Sequence, residues 1–153
     1  ILDMAILIEP IVLNDVEVLS LPREENWGFL ASKELFIANK NALRPEDIKG
    51  LPILCSGRSE VQKLLAEWAK IPYDQLNIVG NYNLIFNILP LVDHKVGMAL
   101  AIEGAISDRK LENSVFIPLE PSIKTNCVLV WKKRVQTPAA QELINRFKHA
   151  FKL

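Results

Sequence analysis

Three features of the sequence predict an α/β fold with a mostly parallel sheet. Short apolar runs rich in β-branched residues recur along the chain, helical repeats lie between them, and polar turns stand where a run gives way to a helix. The runs are MAILI (Met4 to Ile8), VEVLSLP (Val16 to Pro22), WGFLAS (Trp27 to Ser32), PILCS (Pro52 to Ser56), LNIVG (Leu76 to Gly80), VGMALAI (Val96 to Ile102) and CVLVW (Cys127 to Trp131). Several are apolar at consecutive positions, as expected of strands covered on both faces.

The first helical repeat places Val61, Leu64, Leu65, Trp68 and Ala69 on one stripe. Ser59, with Gln62 three residues on, reads as a capping box that opens it, and Pro72 closes it. A second helix is expected from about Tyr82 to His94, with Leu84, Ile85, Ile88, Leu89 and Val92 inward, Gly97 as terminator and a kink or break at Pro90. The third has Thr137 as cap and Pro138 at its first position, and buries Ala140, Leu143, Ile144, Phe147 and Phe151.

With 153 residues, 50% of them hydrophobic and 24% charged, the chain is long enough for one real core. Eighteen basic residues balance eighteen acidic ones, so no overall field draws it to nucleic acid or an anionic membrane. Cys55 and Cys127 are far apart, form no CxxC pair and have no nearby histidine, which favours two free thiols over a metal cage. No apolar run approaches the roughly eighteen residues of a membrane span, and no secretion-signal pattern opens the sequence, so a cytoplasmic location is expected. No motif for a cofactor or metal is present.

In open α/β sheets, ligands gather beyond the C-terminal strand ends, where helix starts present backbone N–H groups. Ser56, Gly57, Arg58 and Ser59 follow one predicted strand, and Asn81, Tyr82 and Asn83 follow another. Taken singly these are ordinary capping residues and an ordinary surface arginine. Two polar turns at the same end of one sheet favour a binding cleft, with Arg58 as a clamp for a carboxylate or phosphate. Catalysis has weaker support: there is no G-x-S-x-G elbow, no HExxH and no evident base for Ser56, Ser59, Cys55 or His94. Cys55 beside Arg58 admits a lowered thiol pKa, but a cysteine closing an apolar strand is the usual inert packing.

The ordered set LDMAILIEP, LSLPREENWGFLASKE, LRPEDIKGLPILCS, LNIVGNYN, HKVGMALAI, VFIPLEP, VLVWKK and TPAAQELINRF resembles the effector-binding domain of LysR-type transcriptional regulators along essentially the whole chain. The resemblance implies a type 2 periplasmic-binding-protein-like architecture of two α/β subdomains joined by two crossover strands. Residues 1–15 and 115–153 would form subdomain one, here incomplete, and residues 16–114 subdomain two, with crossovers near Val16 to Pro22 and Val115 to Pro121. The family's winged helix-turn-helix and the opening strand, helix and strand of its effector domain do not precede Ile1 here, so the chain is expected to be a fragment. DNA would be bound only through that absent N-terminal domain; Trp131 to Arg134 is a strand end with surface charges, and the tryptophans read as packing.

By the same resemblance, Ser56, Gly57, Arg58, Ser59, Asn81 and Tyr82 would face the effector, Glu9 and Asn26 would line the hinge, and backbone at Leu100, Ala101 and Ile102 would form the floor. The effector would be a small anionic or zwitterionic metabolite held between the subdomains, and the full-length protein a dimer or tetramer. A solute-binding protein of the same architecture, serving a transporter, is the alternative.

Overall fold

The computed structural model describes residues 2–153 and divides them into two compact units. Residues up to Glu25 together with Thr125–Leu153 form the first, and Asn26–Lys124 form the second. The chain passes between them within two strands, β2 (Val16–Ser32) and β7 (Lys124–Lys132). These divisions fall later than the resemblance implied. The reason is pairing: Ser114–Pro118, strand β6, is antiparallel to the C-terminal half of β2, with Gly28 opposite Pro118 and Ser32 opposite Ser114. The VFIPLEP segment thus belongs to the second unit.

In the first unit, β1 (Met4–Ile8) runs antiparallel to β7, with Met4 opposite Trp131 and Ile8 opposite Cys127. Helix α3 (Pro138–Phe151) starts as the sequence indicates: Thr137 Oγ1 accepts a 3.2 Å hydrogen bond from the Ala140 amide, and Pro138 follows, where its missing N–H costs nothing. Its buried seam is narrower than expected. Ala140 and Ile144 are buried, whereas Leu143 and Phe151 remain exposed.

The second unit is built on five strands in the order β6-β2-β5-β3-β4. The three not yet placed are β3 (Ile53–Ser56), β4 (Ile78–Tyr82) and β5 (Met98–Ile102). β3 is parallel to both β4 and β5, but β2 is antiparallel to β5 and β6. The fold is α/β, with a mixed sheet in place of a mostly parallel one. Consecutive strand residues alternate between two cores, which explains the uninterrupted apolar runs. Phe29, Ile53, Cys55, Met98 and Leu100 pack with Val61, Leu65 and Trp68 of helix α1 (Ser59–Ala69). Leu30, Leu54, Ala99 and Ala101 pack on the other face with Ile88 and with Val92 of helix α2 (Leu89–Asp93). Strands β2 and β6 approach so closely at Gly28 that a Cβ there would sit 2.4 Å from the Ile117 carbonyl oxygen and 2.5 Å from the Phe116 ring.

Two helix expectations are corrected. Ser59 is the first residue of α1; the cap is Arg58, whose extended backbone leads in without a side-chain cap. The second helix does not begin at Tyr82. That residue ends β4, a 3-10 turn follows at Ile85–Asn87, and α2 is only five residues long with Pro90 in its first turn. Pro90 has no N–H to donate to the turn before it, so it opens a helix more readily than it continues one. Leu84 is therefore exposed, and the terminator is Lys95, with φ 62°, in place of Gly97.

Candidate functional site: the strand-end edge of the second unit

Register brings most of the predicted residues in the second unit to one edge of its sheet. Ser56, the last residue of β3, lies opposite Tyr82, the last of β4, and Cys55 lies opposite Asn81. β5 leaves the sheet at the same edge through Leu100, Ala101 and Ile102, and Ile102 pairs with Trp27. Asn26 is the next residue outward on β2.

The two polar turns are locked together. The Gly57 amide donates 3.1 Å to the Tyr82 carbonyl, and a Cβ at Gly57 would lie 3.4 Å from Asn83 Oδ1. Within the first turn, Ser56 Oγ accepts from the Arg58 amide at 3.2 Å, and the Gln62 side chain donates 3.1 Å back to the Ser56 carbonyl. Gln62 thus secures the turn before the helix; it does not close a box with Ser59. The Arg58 carbonyl accepts the first helical bonds, from the amides of Val61 and Gln62 at 3.1 Å each. The amides of Ser59 and Glu60 stand in the first turn of α1, where no intrahelical acceptor exists, and point outward with the positive end of the helix dipole. Gly57, Arg58 and Ser59 are exposed.

Asn81 and Tyr82 are adjacent on a strand and so project to opposite faces. Asn81 Oδ1 accepts a 3.3 Å bond from the Tyr73 hydroxyl, whereas the Tyr82 hydroxyl donates to the Leu100 carbonyl. The backbone expected to floor the site is therefore partly engaged by Tyr82. Asn26 is the notable exception to satisfied bonding: its Oδ1 is a buried acceptor without a hydrogen-bond partner among the described residues. Such an atom costs free energy unless a donor arrives. Glu9 belongs to the first unit, at the end of β1, where its amide donates 3.0 Å to the Asn126 carbonyl and its Oε2 accepts from the Asn126 amide at 3.2 Å.

Cys55 does not carry a lowered pKa. Burial pushes its thiol up to about 11, and burial, reinforced by the neighbouring Cys55, pushes the Tyr73 phenol up to about 12. At neutral pH both are protonated, so Cys55 is a poor nucleophile. Tyr73 is the member of this edge that the sequence does not single out, and Gln62, expected to box with Ser59, serves the Ser56 carbonyl instead. Tyr73 follows Pro72, which closes the first helical repeat, and nothing in its spacing signals the contact with Asn81. Among the described residues, no cluster of His, Cys, Asp and Glu is arranged to hold a metal, and no helix is long and apolar enough to cross a membrane.

A family model, the LysR substrate binding domain, matches residues 1–152. The chain belongs to the LysR substrate-binding domain family. Solved LysR-family structures share its fold at low identity. HinK, a LysR family transcriptional regulator from Pseudomonas aeruginosa, is 17% identical with a TM-score of 0.72, covering 97% of this chain and 52% of HinK. CbnR, another LysR family transcriptional regulator, is 10% identical with a TM-score of 0.73, over 99% of this chain and 53% of CbnR. A mutant OxyR regulatory domain from Pseudomonas aeruginosa is 15% identical with a TM-score of 0.68, over 99% of this chain and 73% of that domain. The chain thus spans about half the length of the two regulators. Comparison with curated proteins returns no match.

Proposed function

We propose that this LysR substrate-binding domain senses a small anionic or zwitterionic metabolite at the strand-end edge of its second unit. The observation that carries the reading is the pairing of opposite needs at that edge. The start of α1 and Arg58 offer donors and positive charge to a carboxylate or phosphate, while the buried Asn26 Oδ1 lacks a donor among the described residues. A zwitterion supplies both. Ser56, Gly57 and Ser59 shape the anion end, and Asn81, Tyr82 and the Leu100 to Ile102 backbone bound the floor.

The output is conformational. An effector shifts a conformational equilibrium only to the extent that it binds one state more tightly. In the longer protein this shift would be passed through a homo-oligomer to a separate DNA-binding domain; a complex of full-length CbnR with its target DNA is a solved example of a relative's output. The working location would be the cytoplasm, and the role that of a sensor, not an enzyme.

The test begins with a thermal-shift panel of carboxylate and amino-acid metabolites, followed by calorimetry of any stabilising compound on the parent and Arg58→Ala. Loss of the charge-assisted bonds should weaken binding at least about tenfold. The unliganded melting temperature should move little, because contacts of an exposed side chain such as Arg58 contribute weakly. Unchanged affinity would contradict the clamp.

A further inference from the structure

At the opposite ends of the same strands the second unit holds a cavity of about 420 Å³ that the strand-end site does not use. It sits where β3 and β5 begin, against Pro52, Gly97 and Met98, and is walled by Leu35, Phe36, Ile37 and Leu51. This volume falls within the range of sites that enclose small organic molecules, and an apolar wall with few polar groups is their usual chemistry. Two further observations bear on what would fill it.

Phe36 stands on the 3-10 turn Phe36–Asn39 and is 87% exposed, although it borders the cavity. A large aromatic left in water beside an apolar hollow gains most when something apolar covers both. The charged residues at the lining are two lysines, Lys40 and Lys95, against one aspartate, Asp47. Asp47 already serves Lys40 at 2.9 Å and the Arg44 amide at 2.8 Å. Lys95 pairs with Glu34, a carboxylate 70% exposed that does not line the cavity. Exposed pairs of this kind contribute little, so an incoming carboxylate can take the place of Glu34 at small cost. Lys95 is thus the lining cation whose acidic partner, Glu34, stands outside the cavity, beside an apolar wall.

We propose that this cavity is a second small-molecule site, for an amphipathic carboxylate whose apolar body lies against Phe36, Leu35 and Met98 and whose acid group meets Lys95. It lies wholly within the second unit, so it needs no contribution from the first and stands apart from the effector reading.

The chain contains only two methionines, Met98 at the cavity and Met4 in the first unit, so methyl-labelled methionine gives one reporter and one internal control. Sodium octanoate is the probe, with 1-octanol as its uncharged counterpart. Octanoate should shift the Met98 methyl resonance saturably and leave Met4 in place, and octanol should bind at least fivefold more weakly. Phe36→Ala, which removes an exposed side chain and should fold normally, should weaken octanoate at least tenfold. Lys95→Gln should abolish the preference for octanoate over octanol. Arg58→Ala should leave the titration unchanged, so failure here and failure of the strand-end site are read separately. No saturable Met98 shift at millimolar octanoate, equal shifts of both methionines, or a titration unaffected by Phe36→Ala would overturn the proposal.

Discussion

The turns after β3 and after β4 have similar compositions, lie opposite each other in register, and are built differently. Ser56 to Ser59 leads into an 11-residue helix whose Val61, Leu65 and Trp68 are buried, and its loop is tied by Ser56 and Gln62. Asn81 to Leu84 leads into a 3-10 turn and a five-residue helix, with Leu84 and Phe86 exposed. The polar turn that leads into the longer helix is thus the one anchored by buried side chains. The second turn is tied to the first by the Gly57 amide on the Tyr82 carbonyl, and to β5 by the Tyr82 hydroxyl on the Leu100 carbonyl.

The largest effect that separates the two turns should come from their anchors. Leu65→Ala should destabilise the chain by about 2 to 5 kcal/mol, as expected for a fully buried leucine. Leu84→Ala, 62% exposed, should change stability by less than about 0.5 kcal/mol. Urea unfolding of both variants checks this, and equal losses would erase the distinction.

A smaller effect follows from the buried thiol beneath the first turn. The Cys55 pKa is raised to about 11 by burial, so the folded state keeps a proton that the unfolded chain releases near the ordinary thiol value of 9.0. Stability from this group is fully present below pH 9 and is lost as pH rises towards 11, by roughly 2 kcal/mol. Cys55→Ala should flatten that loss in unfolding curves taken from pH 8 to 11. An unchanged slope would place the alkaline sensitivity elsewhere, with Tyr73 the next group to examine.

The smallest effect concerns the tie between β4 and β5. Tyr82→Phe leaves the ring in place and removes the donor to the Leu100 carbonyl, which should cost about 1 to 2 kcal/mol. The same change should raise amide hydrogen exchange at Asn83 and Leu84 more than at Ser59 and Glu60. Uniform exchange across both turns would show that the second holds its order without the tyrosine.

Strand positions and helix faces were legible where the pattern was long or chemically sharp. MAILI gave β1 over its whole length, and the Thr137-Pro138 start of α3 follows from capping chemistry alone. Two runs read as separate, Val16 to Pro22 and Trp27 to Ser32, are one 17-residue strand, because Pro22 sits at an exposed position and does not interrupt it. The helix predicted from Tyr82 failed because apolar spacing at Leu84, Ile85, Ile88 and Val92 outweighed Pro90, and the backbone followed the proline. At the site, residue types at strand ends were visible in sequence, whereas Tyr73 with Asn81 and the partnerless Asn26 Oδ1 depend on side-chain direction across the sheet.

The proposed effector site is the edge formed by Ser56 to Ser59, Asn26 and Tyr82. Amide-resolved NMR titration with the carboxylate and amino-acid panel tests it most directly. Saturable shifts centred on the Gly57, Ser59 and Glu60 amides and on the Asn26 side chain are expected for at least one compound carrying a carboxylate. Saturable binding that leaves those resonances in place and moves others would contradict it.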